Sequence, residues 1–316
     1  MIRRPPRSTL SPSSAASDVY KRQHILRIYQ EETNSTVVGI IVTNKENISI
    51  SNPIVRVIIT SGTPKSVILL NTHESIPFTY EYYTGEVGSD PQNYNGAIWI
   101  KIPIELAPNE DALLLVNLDG ETEAKKGEDV FLFYDDFNDN YFNTSIWNTS
   151  YAAVNETNGA LLIYPTATDK NNVVYTLKNF TKPLKIEALM RMEDYTSYDQ
   201  IGLTMMGSKI FTNTGHVQGY TGMYIENSWD VAILYVNASD TEIYLTREGH
   251  YIDLTSWHYI SMSMYSNNTL VFDIDNYSIS AIESTYSEGF IGIWLDNEDP
   301  SIATIVDYIK VYTLYN

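Results

Sequence analysis

The feature that most constrains this chain is the length of its apolar runs. From Ile25 onward they are strand-sized and are cut every few residues by Asn, Gly, Asp, Ser or Pro. That is the punctuation of strands and turns, and it leaves no window for a long helix. Val37 to Val42, Val55 to Thr60, Val67 to Leu70, Ala97 to Ile102 and Ala112 to Asn117 read as strands. Within Ala97 to Ile102, Ile98, Ile100 and Ile102 fall on one face at period two, and Trp99 and Lys101 fall on the other. The polar segment Asp119 to Glu128 reads as a linker. A second block opens at Val130 to Tyr134 and runs through a series of short strands to Ile305 to Tyr312. Leu184 to Met192 also fits a helical face at Ile186, Leu189 and Met190; strand is preferred because helix caps are missing and its neighbours are strands. Strands of this length and spacing predict an all-β fold of two β-sandwich domains, at 24–128 and 129–316.

Composition narrows the function classes. The net charge is −19, which repels phosphate backbones and makes nucleic acid an unexpected partner. No apolar stretch reaches the length of a membrane span. With no Cys, disulfides, thiolate metal sites and Cys nucleophiles are excluded. Asn-x-Ser/Thr sequons begin at Asn34, Asn47, Asn143, Asn148, Asn155, Asn179, Asn237, Asn267 and Asn276. They point to an extracellular or cell-surface location and to glycosylation, although an Asn- and Thr-rich β protein also forms sequons by chance. The first 23 residues, MIRRPPRSTLSPSSAASDVYKRQ, have neither an apolar signal core nor a strand or helix period. They resemble sequencing-adapter read-through translated in a metagenomic assembly. The expectation is that the native N-terminus lies upstream.

Two resemblances follow from ordered motifs. Phe78-Thr79-Tyr80-Glu81-Tyr82, Ala97-Ile98-Trp99-Ile100-Lys101-Ile102-Pro103 and Val130-Phe131-Leu132-Phe133-Tyr134-Asp135-Asp136-Phe137 resemble, over roughly Ile25 to Phe137, domain of unknown function 2341 of microbial surface proteins. Leu114 to Asp119 stands where that family carries Tyr-Gly-Asn-Pro. Asp135-Asp136-Phe137 with Trp147, then Trp257-His258-Tyr259-Ile260, Ser287 to Trp294 and Asp307 to Tyr312, is similar to the concanavalin A-like lectin/glucanase superfamily over about Phe131 to Asn316. This resemblance implies that the C-terminal sandwich is a concanavalin A-like jelly roll.

Catalysis is not expected. Glucanases of that superfamily carry Glu-x-Asp-x-x-Glu on one strand, and no such string occurs here; Glu187 and Glu193 read as exposed. The five His show no ligand spacing, and His258 beside Trp257 reads as structural. Asp136, Asn138 and Asn140 match the first three positions of a calcium loop, but Tyr141 and Trp147 replace its Gly and Glu. The resemblance also implies that a closing-strand Asp, here Asp307, helps hold a structural calcium near the first strand, with Asp135 and Asp136. The alternative is that Asp135 and Asp139 are turn formers and Asp307 accepts backbone hydrogen bonds. For a sugar, Tyr220, Tyr224 and Glu226 share one face of a predicted strand around Gly222, with Trp229 and Tyr235 on the next, and could offer stacking rings; aromatics in strands also simply pack. The leading expectation is an extracellular binding module for a polysaccharide or surface glycan. The alternatives are a structural stalk or surface-layer component contacting other surface proteins, and a diverged glycoside hydrolase.

Overall fold

The computed structural model describes residues 26–34, 37–45, 49–59, 62–196, 199–296 and 299–314. The N-terminal segment read above as foreign sequence lies outside the described residues, as does the sequon at Asn47. The protein is all-β, and strands before Asn117 share no sheet with strands after Phe133.

The first sandwich packs two sheets and a short pair. One sheet orders β1 (Leu26–Asn34), β2 (Val37–Asn44), β11 (Asp111–Asn117), β5 (Ser66–Leu69) and β6 (Glu74–Ser75). The other orders β4 (Ile54–Ile58), β9 (Tyr94–Lys101), β7 (Phe78–Tyr82) and β8 (Val87–Gly88). β10 (Glu105–Leu106) pairs with β3 (Ile50–Ser51). Val38, Ile40 and Val42 from one sheet meet Val55, Phe78, Ile98 and Ile100 from the other in a single core. The period-two reading of β9 holds: its Ile residues enter this core and Trp99 points the opposite way.

The second sandwich is a jelly roll of two eight-stranded sheets. The back sheet orders β14 (Ala152–Glu156), β15 (Leu161–Pro165), β27 (Thr304–Thr313), β18 (Leu184–Met192), β23 (His258–Met264), β24 (Thr269–Ile274) and β25 (Tyr277–Ile282), with β12 (Phe133–Asp135) also on β27. The front sheet orders β13 (Trp147–Ser150), β16 (Asn172–Thr176), β26 (Glu288–Asp296), β19 (Gln200–Ile210), β20 (Val217–Ile225), β21 (Asp230–Val236) and β22 (Glu242–Gly249), with β17 (Phe180–Thr181) also on β26. Ile186, Met262 and Phe272 of the back sheet bury against Leu203, Tyr220 and Ile293 of the front sheet. Leu184–Met192 is a strand, paired on both sides by β23 and β27.

Two expectations need correction. The second block does not open with a strand at Val130: Gly127–Val130 is a helical turn, and pairing begins at Phe133. Asp119 to Glu128 is not a free linker. The Glu123 amide donates to the Lys65 carbonyl at 2.7 Å, and the Lys125 amide donates to the Phe78 carbonyl at 2.7 Å.

The turn matters because it delivers Val130 and Phe131 to a junction between the sandwiches. There Trp99 packs against Phe131 and Tyr312, with ring centroids 5.2 and 5.1 Å apart. The Tyr134 hydroxyl donates to the Val87 carbonyl and accepts from the Val87 amide, both at 3.2 Å. Gly85 turns at φ +87°, and a Cβ there would lie 2.8 Å from the Tyr259 and Tyr308 hydroxyl oxygens, so the turn sits directly on those rings. A chain of charges is buried at the same place. Arg56 forks onto Glu81 with two 2.6 Å bonds, Lys310 lies 5.0 Å over the Trp99 ring, and Lys310 Nζ reaches Glu187 Oε1 at 3.1 Å. The reading of Glu187 as exposed is therefore wrong. Period two placed it on the outer face of its sheet, and the first sandwich covers that face.

Candidate functional site

The residues expected to bind sugar separate into two groups. Tyr220 and Tyr224 are fully buried in the main core of the jelly roll, and Tyr235 packs against it from the edge. The close approach that Gly222 permits is to Phe272 of the back sheet, whose ring lies 2.2 Å from where a Cβ would stand. The Tyr face is thus the inner face of the front sheet and offers no ligand surface.

The opposite face is read from the ladder register. Val173, Trp294, Gly202, Met223 and Ala232 lie in one row across it. Tyr175, Gly292, Thr204, Thr221 and Leu234 lie in the next. Much of this face is a second small apolar core. Its central positions, Gly202, Thr204, Thr221, Met223, Gly292 and Trp294, bear no carboxylate, so no acid pair stands there to flank a glycosidic bond.

Glu226 and Trp229 belong elsewhere, on the turn between β20 and β21. Glu226–Ser228 forms one 3-10 turn, and Trp229 closes it in the left-handed region at φ 53°, ψ 47°. A bulky residue held there costs on the order of 1–2 kcal/mol, so the surroundings must fix it. They do: the His250 amide donates to the Trp229 carbonyl at 2.6 Å, and Arg247 donates to Ser228 Oγ at 2.6 Å while paired with Asp230. The Trp229 side chain is left 57% exposed.

A second aromatic meets it. Tyr251, 59% exposed, stands edge to face with Trp229 at 5.7 Å and 86°. Its placement follows from alternation in the segment after β22, where Ile252 and Leu254 enter the core and leave Tyr251 and Asp253 outside. The segment is pinned on both sides. The Ile252 amide donates to the Tyr224 hydroxyl at 3.2 Å, and His258 Nε2 reaches the Asp253 carbonyl at 2.7 Å. A hydrogen bond to Tyr251 pushes the half-buried Tyr195 hydroxyl up to about 12, which places a third ring at the corner. Beneath lies Glu226, only 7% exposed, with Oε2 buried and unpartnered. Burial raises its carboxyl above the usual range against the pull of Tyr224 and Trp229, and Asp253 and Asp199 raise it further. Tyr251 and Tyr195 were missed in the sequence; the alternation Tyr251, Ile252, Asp253, Leu254 was the available signal for Tyr251.

Residues 75–150 match the family described as a domain of unknown function, DUF2341. The matched stretch crosses from the first sandwich into the second and so differs from the expected Ile25 to Phe137. It contains Glu81, Trp99, Phe131 and Tyr134, the junction residues. No curated protein matches the chain. Among solved structures, the carbohydrate binding module CBM66 from Bacillus subtilis aligns at 12% identity and TM-score 0.44, covering 55% of this chain and 100% of that one. A protein of unknown function with a galectin-like fold, also from Bacillus subtilis, aligns at 10% identity and TM-score 0.47, covering 58% and 96%. A glycoside hydrolase family 16 endo-glucanase from Bacteroides ovatus, in complex with G4G3G-2F-DNP, aligns at 15% identity and TM-score 0.41, covering 57% and 99%. The jelly roll itself stands on the strand order given above.

The acids expected to hold calcium do other work. Asp135 Oδ2 accepts from the Trp147 indole at 2.7 Å and Oδ1 from the Phe137 amide at 3.0 Å. Asp136 accepts from the Asn138 amide at 3.3 Å, as a turn former does. Asp307 is buried in β27. Among the described residues no three His, Cys, Asp or Glu side chains are gathered to hold a metal ion, so Asp135, Asp136 and Asp307 form no such centre. Nearby, burial and the Asp139 carboxyl push Glu156 up to about 7. The folded state then holds a proton that the unfolded chain has released, so stability falls as pH rises from about 4.5 to about 7 and is level above that. Glu156→Gln is expected to remove this slope and raise Tm at pH 8 by roughly 2–4 °C, read by thermal melts at pH 5 and pH 8. An unchanged slope in the variant would refute the assignment.

His258 is structural. Nδ1 lies 2.7 Å from an Asp275 carboxylate oxygen and Nε2 faces a backbone carbonyl. Both partners only accept, so both nitrogens carry protons. Burial opposes that charge, and Asp275 outweighs it, raising the imidazole above its usual range.

Proposed function

We propose that the chain is a non-catalytic carbohydrate-binding protein displayed outside the cell, taking a polysaccharide or surface glycan on the corner of Trp229 and Tyr251. The observation that carries this is the pair itself: two exposed rings at 86°, held over a buried carboxylate. Sugars present CH faces to rings and hydroxyls to acceptors, and a fixed ring loses little freedom on binding. The non-catalytic part is supported by the front sheet's outer face, whose centre has no carboxylates. The location is supported by sequons on exposed Asn148, Asn155, Asn179, Asn267 and Asn276. Among the described residues no helix is long and apolar enough to cross a membrane.

The test is retention of the full chain on insoluble polysaccharides and on a glycan array. At least one neutral or amino-sugar polymer is expected to retain it. Tyr141→Ala, which removes a 64% exposed ring far along the chain, is expected to leave retention intact. No reducing sugar is expected to be released on prolonged incubation; steady release would favour the hydrolase reading instead. The structural-component reading is favoured by one observation, the apolar junction, with Lys310 over the Trp99 ring, that ties the sandwiches together. Long polymers in negative-stain images, with no retained glycan, would put that reading first.

A further inference from the structure

We infer that the corner of Trp229 and Tyr251 recognises an ammonium group, presented by an amino sugar whose amine is free. This rests on reading the corner as a sugar site and adds the chemical class of the sugar. Three observations converge. Glu226 is nine-tenths buried in the turn that carries Trp229; its carboxylate takes hydrogen bonds from Tyr224 and Trp229 and leaves Oε2 without a partner, so an incompletely compensated carboxylate lies directly under the corner. Trp229, the best of the aromatic faces for a cation, is open beside it, with Tyr251 at a right angle. The charge around Glu226 is negative: Asp199 and Asp253 both act on it, and Glu248 takes the Tyr277 hydroxyl close to the stacked His250. The nearby cation Arg247 is committed to Asp230 at 2.6 Å and to Ser228.

A neutral hydroxyl would leave the crowded carboxylates repelling one another. An ammonium on the ring face offsets that repulsion through space, and the ring and the carboxylate beneath it offset its desolvation. A uronic or sialic acid would bring a further negative charge into the same place. An acetylated amine has lost the charge. A quaternary amine such as choline shares the ammonium chemistry and is the source to be separated from a sugar amine.

The experiment is calorimetric titration of the full chain with glucosamine tetramer, N-acetylglucosamine tetramer, cellotetraose, tetragalacturonate and choline. Glucosamine tetramer is expected to bind about tenfold or more tighter than its acetylated counterpart, and tetragalacturonate weakest. Glu226→Gln is expected to bring the glucosamine-to-acetylglucosamine ratio close to one, with thermal melts reporting whether the variant folds. On the unaltered protein, raising salt from 0.05 to about 0.5 M is expected to weaken glucosamine binding and leave cellotetraose unaffected. Equal or tighter binding of the acetylated, neutral or acidic tetramer overturns the inference while leaving the sugar site in place. Binding of choline without glucosamine overturns the amino-sugar class. Failure of every sugar overturns the sugar reading as well.

Discussion

Lys310→Met is expected to destabilise the protein by about 3–5 kcal/mol at pH 7, because it strands a charge that the fold has buried. Lys310 is 4% exposed at its side chain and lies 3.1 Å from Glu187. Burial alone would push the Glu187 carboxyl up; Lys310, then Lys185 and the Tyr312 hydroxyl, instead hold it down at about 2. With Lys310 gone, Lys185 at 3.8 Å compensates in part, which argues for the lower end of the range. The pH dependence has a fixed sign. A carboxyl whose folded pKa is depressed adds stability above about 4.5, and loses it as pH falls toward 2. The gap between parent and variant should therefore be widest near neutrality and narrow below pH 4. Glu187→Gln placed on top of Lys310→Met should recover part of the loss, since it removes the stranded charge. Urea unfolding at pH 7 and pH 3 measures all of this. A loss below about 1 kcal/mol at pH 7 would mean that water reaches Glu187 and the junction is not dry.

Trp229→Ala is expected to weaken glycan binding by about 30-fold or more, and Tyr251→Ala by about tenfold, in the range of aromatic hot spots. Both rings are more than half exposed, so neither substitution removes core packing. Tyr251→Ala should stay within about 0.5 kcal/mol of the parent, and Trp229→Ala should lose about 1 kcal/mol more with the indole hydrogen bond to the buried Glu226. Alanine keeps a Cβ, so the strain of the left-handed region is unchanged in Trp229→Ala. For Tyr251→Ala binding and stability thus separate cleanly, which a merely structural aromatic would not allow. Trp229→Tyr should retain most of the affinity, because a stacking face survives. Isothermal titration with the glycan retained in the array reads the effect, and an unchanged Kd in both single variants would remove this corner from the site.

The strands were legible because burial in a sandwich acts on every second residue. The Ile residues of β9, the apolar face of β2 and the inward residues of β18 and β20 all announce themselves at that period. The motifs Phe78 to Tyr82, Ala97 to Pro103 and Val130 to Phe137 were legible too, but for a reason the residues did not disclose. They carry the junction, where Trp99, Phe131 and Tyr134 meet Tyr312. Period two says that two faces differ; it does not say which face meets the opposite sheet. That ambiguity misplaced Tyr220 and Tyr224, which fill the core, and Glu187, which is covered by a different sandwich.

What the amino-acid order determined by itself is local: strand lengths, turns, the alternation that sorts each strand into two faces, a surface of negative sign and the absence of thiol chemistry. Those properties follow from neighbours a few residues apart. Only the tertiary structure decided which faces are inside and which carboxylates find partners. It alone brought Tyr251 and Tyr195 to Trp229 and set Lys310 against Glu187. Desolvation and Coulomb attraction depend on distance in space, and these groups lie apart along the chain until the strands that carry them pair.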